Sequence, residues 1–392
     1  MDLIYSTSYY VLNYNPISVG FNYLFPSSPS TYIQNNNLIK KPTVEDIDNY
    51  QLIMIDMDGV IRNGNKKIGL SDVVFNKLNQ MNKKYVILTN ECRKEPRQIR
   101  QDLKTMKLNI RDNVPIISAS QLVKKQLMKL VIGNSQFPSK NTVIKNKFDK
   151  NIFNKKIGVI GTNNEYLYYK KSFKNYNNVK VYWVNTNFIP NDLDYIVIGC
   201  VENDDNINKV FNNGLKWLMN NLSALLVISC PDLQDVENKD KITHYLPIIF
   251  LKELETMVNS KNKNINFNNI YLDLEKNKNF DPYSFKINHE QIIVGKPQPE
   301  FVIDLLKYYN IIDKNINDIE ELQSLLKSKV LMIGDNLNTD IKLSEKINCD
   351  AALVLSGVTS NDDLMKIHSS YDGNSIIDTI KYIVPDISHL FI

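Results

Sequence analysis

The sequence predicts an α/β fold: a doubly wound, mostly parallel core sheet into which a second α/β unit is inserted. Two observations predict it. Short, continuously apolar runs, such as residues 52–55, alternate with stretches of helical spacing, and such runs are typical of strands buried on both faces of a parallel sheet. The same alternation of strands and helices returns near the C-terminus. The stretch between the two parts has its own strands and helices and is the inserted unit.

The first half of the core alternates strands and helices in chain order. The predicted strands are "YQLIMID" and "KYVILTN". The predicted helices are "LSDVVFNKLNQMNKK", "EPRQIRQDLKTMKL" with Pro96 in its first turn, and "ASQLVKKQLMKLV". This order favours parallel strands joined by right-handed crossovers.

The second half of the core repeats the pattern after the insertion. Its predicted elements are the helix "KPQPEFVIDLLKYYN", the strand "SKVLMIG", the helix "NTDIKLSEKIN" and a last strand, "CDAALVLSG". The insertion contributes the strand candidates "KKIGVIG", "VKVYWVN", "LDYIVIGC" and "ALLVISC".

We therefore expect three parts in the chain. Residues 46–120 and 291–392 form the core, and residues 121–290 form an inserted α/β cap. The cap carries Asn- and Lys-rich surface loops at about 133–154 and 259–290. Residues 1–45 are expected to be a poorly ordered extension.

Composition excludes several classes of protein. The 392 residues are 43% hydrophobic and 23% charged, as in globular proteins. The 47 basic and 43 acidic residues give a net charge of +4, too even a balance to indicate a nucleic-acid partner. No apolar stretch reaches the roughly 18 residues of a membrane span. Residues 1–39 contain no Lys or Arg, which disfavours signal peptides and mitochondrial presequences.

The four cysteines, Cys92, Cys200, Cys230 and Cys349, are widely separated and form no C-x-x-C pair. This spacing indicates neither a zinc site nor a disulfide framework. A reducing compartment fits such cysteines best, and we expect a cytoplasmic protein.

Polar side chains follow four predicted strands or stand close to them. They are Asp56 and Asp58, Thr89 and Asn90, Lys296, and Asp335 with Asp340. Each group alone has an ordinary structural interpretation as turn residues, helix caps or a solvated lysine. Ligands of open α/β sheets bind outside the carboxyl ends of the strands, so the four groups in this order predict one shared site.

The residue types indicate phosphoryl chemistry. Carboxylate ligands without His or Cys select a hard cation, most simply Mg²⁺. One carboxylate can attack phosphorus to form an aspartyl-phosphate, and a second, two residues further on, can serve as general acid and base. A lysine and a threonine hydroxyl can hold the phosphoryl oxygens.

The segments "DMDGV", "LTN", "GKPQPE" and "GDNLNTD" resemble the four motifs of the haloacid dehalogenase (HAD) superfamily, phosphatase branch. With the cap position and "LVLSGVTS", they are similar to the large-cap p-nitrophenylphosphatase and phosphoglycolate phosphatase-like group. The resemblance implies a phosphatase for a small metabolite, of the p-nitrophenyl phosphate, phosphoglycolate, glycerol phosphate or pyridoxal phosphate type.

The resemblance also implies roles for the acidic residues. Asp56 would be the nucleophile and a ligand of Mg²⁺. Asp58 would be the general acid and base and would offer its backbone carbonyl to the metal. Asp335 would be the remaining carboxylate ligand, with Asp340 supporting it.

The transferred phosphoryl group would be bound by Thr89, Asn90 and Lys296, and Gly59 would let the chain turn close to it. In this family the cap often mediates homodimers, so two copies are expected to be able to pair through it. No nucleic-acid or membrane partner is implied.

The sequence departs from the family pattern near the expected substrate. Glu91 places an extra negative charge beside the phosphate site, which would favour a cationic or differently shaped substrate. In the cap, Val201 stands where Asp is common and Cys230 where Asn is common. Two alternatives stay open: another phosphoryl-transfer or phosphonate-type reaction on the same scaffold, and a catalytically silent scaffold or binding protein.

Overall fold

The computed structural model describes residues 43–132, 154–186, 190–204, 206–233, 244–252, 289–313, 326–360, 362–364 and 378–392. The expected N-terminal extension and most of the two Asn- and Lys-rich loops lie outside the described residues.

The described elements alternate between strands and helices along most of the chain. The strands are β1 Leu52–Ile55, β2 Arg62–Asn63, β3 Lys66–Lys67, β4 Tyr85–Thr89, β5 Ile116–Ser118, β6 Lys155–Ile160, β7 Val179–Trp183, β8 Tyr195–Ile198, β9 Val201–Glu202, β10 Leu225–Ile228, β11 His244–Tyr245, β12 Gln291–Ile293, β13 Val330–Gly334, β14 Asp350–Val354 and β15 Ile380–Val384. The α-helices are α1 Val44–Asp48, α2 Ser71–Gln80, α3 Pro96–Thr105, α4 Ala119–Ile132, α5 Asn163–Ser172, α6 Ile207–Asn220, α7 Glu300–Tyr308 and α8 Lys342–Ile347.

The first sheet has six parallel strands in the order β15-β14-β13-β1-β4-β5. Strand β1 lies between β13 and β4, so the two halves of the core pair through it although the insertion separates them in sequence. The three central strands therefore end side by side at one edge of the sheet.

Helices cover both faces of this sheet. Ile53 and Ile55 of β1 pack with α2 and α3, whereas Leu52 and Met54 pack with α7 and α8. Because successive side chains of a strand point to opposite faces, a run in which every residue is apolar is the expected sequence of a strand covered on both sides. The predicted doubly wound α/β fold is confirmed.

The second sheet is built from the inserted stretch. It has five parallel strands in the order β12-β10-β8-β6-β7. One face packs against α6, including the fully buried Trp217, and the other packs against α4 and α5. Burial of both faces again explains the continuous apolar runs in β8 and β10.

Two boundaries differ from the sequence prediction. Gln291–Ile293, assigned to the core by sequence, pairs in parallel with Leu226–Ile228 of the second sheet. The expectation that "CDAALVLSG" is the last strand was wrong, because β15 follows it and pairs with it. The segment "IKYIV" of β15 is short and ends directly before Pro385.

Candidate active site

Acidic or hydroxyl side chains lie at the carboxyl ends of three strands of the first sheet. Asp56 follows β1, Thr89 ends β4 and Asp335 follows β13. The backbone N–H of Asp56 donates to Ile333 O at 2.9 Å. The hydrogen bonding between β1 and β13 therefore continues as far as Asp56. The pairing of β1 with both neighbours brings residues that are far apart in sequence into one site.

Lys296 reaches this edge from the second sheet. It lies three residues beyond β12, so the segment that carries it follows a strand of the cap and not of the core. Its ammonium donates to Asp56 Oδ1 at 2.5 Å and to Asp340 Oδ1 at 2.6 Å. Lys296 is only 2% exposed, so the two carboxylates replace its lost hydration.

Asp340 is folded back onto the end of β13 by a π-helical turn, Leu337–Ile341. Its Oδ2 accepts from the backbone N–H groups of Asp335 and Asn336, each at 3.1 Å. With Oδ1 bonded to Lys296, both carboxylate oxygens are engaged. A side chain fixed in this way suits the supporting role expected for Asp340.

The carboxylates crowd one another. Burial and the neighbouring Asp340 raise the pKa of Asp56 well above its ordinary value, and the same two causes raise the pKa of Asp335 to about 7. Burial alone would lower the pKa of Lys296, but Asp340 and Asp56 outweigh it and raise that pKa. One lysine is therefore too little positive charge for three buried carboxylates.

Asp56, Asp335 and Asp340 each offer an oxygen within 4.8 Å of the others, an arrangement that could hold a metal ion. Asp335 Oδ2 accepts from the N–H of Val358 at 2.6 Å. The donor set is all oxygen and strongly anionic, which suits a hard divalent cation.

Gly59 explains how the chain passes this cluster. Its φ is +85°, a conformation that glycine adopts without strain, and a Cβ there would lie 2.3 Å from Asp335 Oδ2. The predicted turn is present, and the group that it approaches closely is the Asp335 carboxylate.

Asp58 is held at the mouth of the site by an arginine of the same loop. Its Oδ1 accepts from Arg62 Nε at 2.8 Å, and Arg62 is 1% exposed. Arg62 also lies 3.8 Å from Glu91. Asp58 keeps about a quarter of its side chain exposed, in contrast to the buried Asp56.

Glu91 does not present an uncompensated negative charge. It accepts from Arg93 Nε at 3.0 Å and from a terminal Arg93 nitrogen at 2.8 Å, in a forked pair. Arg62 approaches it from the other side. The sequence-based idea that Glu91 favours a cationic substrate therefore loses its electrostatic reason.

Thr89 and Asn90 follow β4 but face different partners. The Thr89 hydroxyl oxygen accepts from the N–H of Glu91 at 3.0 Å, which leaves its O–H proton to donate. The Asn90 side chain accepts from Lys296 N at 2.8 Å and donates to Lys296 O and Asp232. Its side chain thus fixes the backbone that carries the lysine.

A cavity of about 60 Å³ lies over the carboxylates. Asp56 and Asp335 of the first sheet line it together with Lys296, which follows β12 of the second sheet. Residues of the inserted stretch also line it: Cys200, Cys230, Asp232 and Leu246. The sequence analysis placed Cys230 near the expected substrate but did not name Cys200, Asp232 or Leu246, because the loops that carry these residues are far apart along the chain.

Comparison with known proteins agrees with this arrangement. A family model described as haloacid dehalogenase-like hydrolase matches residues 53–171, and a second, HAD-hydrolase-like, matches residues 293–384. Together they match just over half of the chain, and the chain belongs to the haloacid dehalogenase superfamily.

Within this superfamily the chain is similar to named phosphatases. It is 32% identical to phosphoglycolate phosphatase 2 of Arabidopsis thaliana over 96 residues, 24% of this chain and 27% of the plant protein. The match thus spans about a quarter of that relative's length.

Two solved structures share the fold. One is a possible sugar phosphatase of the HAD superfamily from Cytophaga hutchinsonii, with a TM-score of 0.58, 19% identity, and 89% of this chain and 98% of that chain covered. The other is a p-nitrophenyl phosphatase from Archaeoglobus fulgidus, with a TM-score of 0.52, 14% identity, and coverage of 87% and 98%.

No helix among the described residues is long and apolar enough to cross a membrane.

Proposed function

We propose that this protein is a Mg²⁺-dependent phosphomonoesterase that works through an aspartyl-phosphate on Asp56. The observation that carries the proposal is the position of Asp56: a buried carboxylate at the floor of the cavity, in contact with Lys296 and beside Asp335. The Lys296 ammonium, together with a cation bound by Asp56 and Asp335, would keep this carboxylate ionised and able to attack phosphorus.

The residues present fit a magnesium ion. Asp56 and Asp335 would ligate it through side-chain oxygens and Asp58 through its backbone carbonyl, whereas Asp340 is already committed to Lys296 and two backbone N–H groups. When bound, such a cation offsets the charge of the carboxylates and of the phosphoryl oxygens.

The reaction follows from the two aspartates of the first loop. The Asp56 oxygen forms a bond to phosphorus while the bond to the leaving oxygen breaks, and Asp58 gives that oxygen its proton. Asp58 then takes a proton from a water molecule, which attacks phosphorus and releases phosphate from Asp56. Lys296 and the Thr89 hydroxyl stabilise the charge on the phosphoryl oxygens.

Arg62 suits the double task of Asp58. Its Nε holds one carboxylate oxygen at 2.8 Å, and about a quarter of the Asp58 side chain is exposed at the cavity, where a leaving group or a water molecule would arrive. This contrast between a buried nucleophile and a partly exposed acid supports the assignment of the two roles.

The substrate is proposed to be a small phosphorylated metabolite. Residues of the inserted stretch line the cavity beside the carboxylates, so a phosphoryl group bound at Asp56 would place its leaving group near them. Phosphoglycolate, glycerol phosphate, pyridoxal phosphate and sugar phosphates are the classes to test. A cytoplasmic location and a dimer formed through the cap stay predictions.

Phosphate release from this panel and from p-nitrophenyl phosphate, with Mg²⁺ or with EDTA, tests the proposal. We expect metal-dependent turnover that Asp56→Asn abolishes. Asp72→Asn, which changes a carboxylate paired with Lys67 on the surface, should retain it. Absence of turnover on every compound, in folded protein that binds Mg²⁺, would favour a catalytically silent scaffold.

The two aspartates are separated by a second measurement. With p-nitrophenyl phosphate, whose leaving group needs little protonation, Asp58→Asn should release about one equivalent of p-nitrophenolate and then stall. Intact-mass analysis should find the phosphoryl group on this variant and not on Asp56→Asn. A phosphoryl group on any residue other than Asp56 would contradict the mechanism.

A further inference from the structure

Three of the four cysteines meet at the cap side of the cavity. Cys92 lies in the loop after β4 of the first sheet, whereas Cys200 and Cys230 lie beyond β8 and β10 of the second sheet. All three line the cavity and are at most 2% exposed. Their positions in sequence gave no sign of this meeting.

Cys92 and Cys200 are in direct contact. Their sulfur atoms lie 3.0 Å apart, although the two residues are 108 positions apart in sequence. Cys92 packs in the hydrophobic cluster of the second sheet, together with Cys200 and Cys230. The contact therefore joins the loop that carries Thr89 and Asn90 to the inserted unit.

The environment makes Cys92 the more nucleophilic thiol. Hydrogen bonds from Cys200 and Cys230 lower the pKa of Cys92 well below its ordinary value, although burial opposes this. The same hydrogen bond and burial raise the pKa of Cys200. A thiolate with neighbouring thiols, open to a polar cavity, is the arrangement that oxidants attack.

We propose that Cys92 and Cys200 form a reversible disulfide when the protein meets hydrogen peroxide, and that this bond ties the loop after β4 to the inserted unit. The Cys92 thiolate attacks one peroxide oxygen, giving a sulfenic acid and hydroxide. The Cys200 thiolate, having lost its proton, then attacks the Cys92 sulfur and releases a second hydroxide. The two protons lost by the thiols convert both hydroxides to water, so two thiols and one peroxide give one disulfide and two waters.

The bond would also affect turnover, a consequence that rests on the proposed function. Residues of both units line the cavity, so a bond between them would restrict any relative motion that accompanies exchange of substrate and phosphate. A disulfide across them should slow turnover, and dithiothreitol should restore it.

The test is peptide mapping of the reduced, full-length protein after brief treatment with hydrogen peroxide. Remaining thiols are alkylated before digestion. We expect one cross-linked pair of peptides, containing Cys92 and Cys200, which is absent before oxidation and after dithiothreitol. Cys200→Ser should lose it. Cys349→Ser, which removes a buried thiol of another cluster, should keep it.

Peptide mapping does not depend on phosphatase activity, so it separates the failure of this proposal from a failure of the proposed function. Oxidation of Cys92 only to sulfinic acid, or a cross-link from Cys92 only to Cys230, would overturn the assignment. If Cys200→Ser does not fold, the map of the wild-type protein still decides between these outcomes.

Discussion

Replacement of Lys296 by methionine tests the charge balance of the site. The ammonium lies 2.5 Å from Asp56 and 2.6 Å from Asp340, and all three side chains are buried. Methionine keeps most of the length of the side chain but leaves both carboxylates without their cation. Removal of one partner from a buried ion pair costs about 3–5 kcal/mol, so the free energy of unfolding of metal-free protein should fall by about that amount.

The loss should depend on pH in a defined direction. Burial and the neighbouring Asp340 raise the pKa of Asp56, so as the pH falls Asp56 binds a proton earlier than an ordinary carboxyl and no longer needs a counter-ion. The difference between wild type and Lys296→Met should therefore shrink as the pH falls. Urea unfolding in EDTA, followed by circular dichroism at several pH values, measures it, and an unchanged m value would show that the denatured state is not altered.

Lys67→Met is the matched control. Lys67 lies 2.9 Å from Asp72, and both side chains are about one-third exposed, so its removal should cost less than about 1 kcal/mol. A second substitution, Asp340→Asn, should recover part of the stability lost in Lys296→Met, because it removes one uncompensated charge. A loss below about 1 kcal/mol for Lys296→Met, or no recovery in the double variant, would refute the reasoning.

Three further predictions concern the surroundings of the cluster. Gly59→Ala should weaken Mg²⁺ binding about tenfold or more in calorimetry, because the new methyl group would lie 2.3 Å from Asp335 Oδ2; unchanged affinity would contradict the close approach. Because the pKa of Asp335 is raised from 3.8 to about 7, the stability that its proton contributes is lost as the pH rises through about 7. Mg²⁺ should accordingly raise the melting temperature more at about pH 8 than at about pH 5, and an equal rise would argue against Asp335 as a ligand. Glu91→Gln should lower the free energy of unfolding by about 3–5 kcal/mol, measured in urea, because it breaks the buried pair with Arg93; a neutral effect would revive the idea of an uncompensated charge.

The core of the fold and much of the site follow from local sequence. Four or five consecutive apolar residues predict a strand covered on both faces, and the same runs fix where Asp56, Thr89 and Asp335 emerge. The carboxyl ends of parallel strands lie at one edge of the sheet. The topology alone therefore predicts that the groups at Asp56, Thr89 and Asp335, three of the four, lie close together.

The remaining features depend on pairing that no local pattern encodes. Gln291–Ile293 is short and apolar, and such a run fits either sheet until its partner strand is known. Arg93, the forked partner of Glu91, stands only two positions later, but a sequence does not show that the two side chains pair. The approach of Arg62, 29 positions earlier, depends on the fold. The contact of Cys92 with Cys200 is likewise a product of how the inserted unit sits against the loop after β4.

Charge explains why the proposed active site would need a metal ion besides its lysine. Asp56, Asp335 and Asp340 are buried together, and one ammonium offsets only one of the three charges. Without a metal ion the site can approach neutrality only by binding protons, which is what the raised pKa of Asp335 expresses. A protonated cluster ligates metal poorly, and an ionised one repels a phosphate dianion. A divalent cation resolves both conflicts, because it takes the place of the protons and leaves a neutral site that a phosphoryl group can enter. Metal binding should therefore precede phosphate binding and release protons as it occurs.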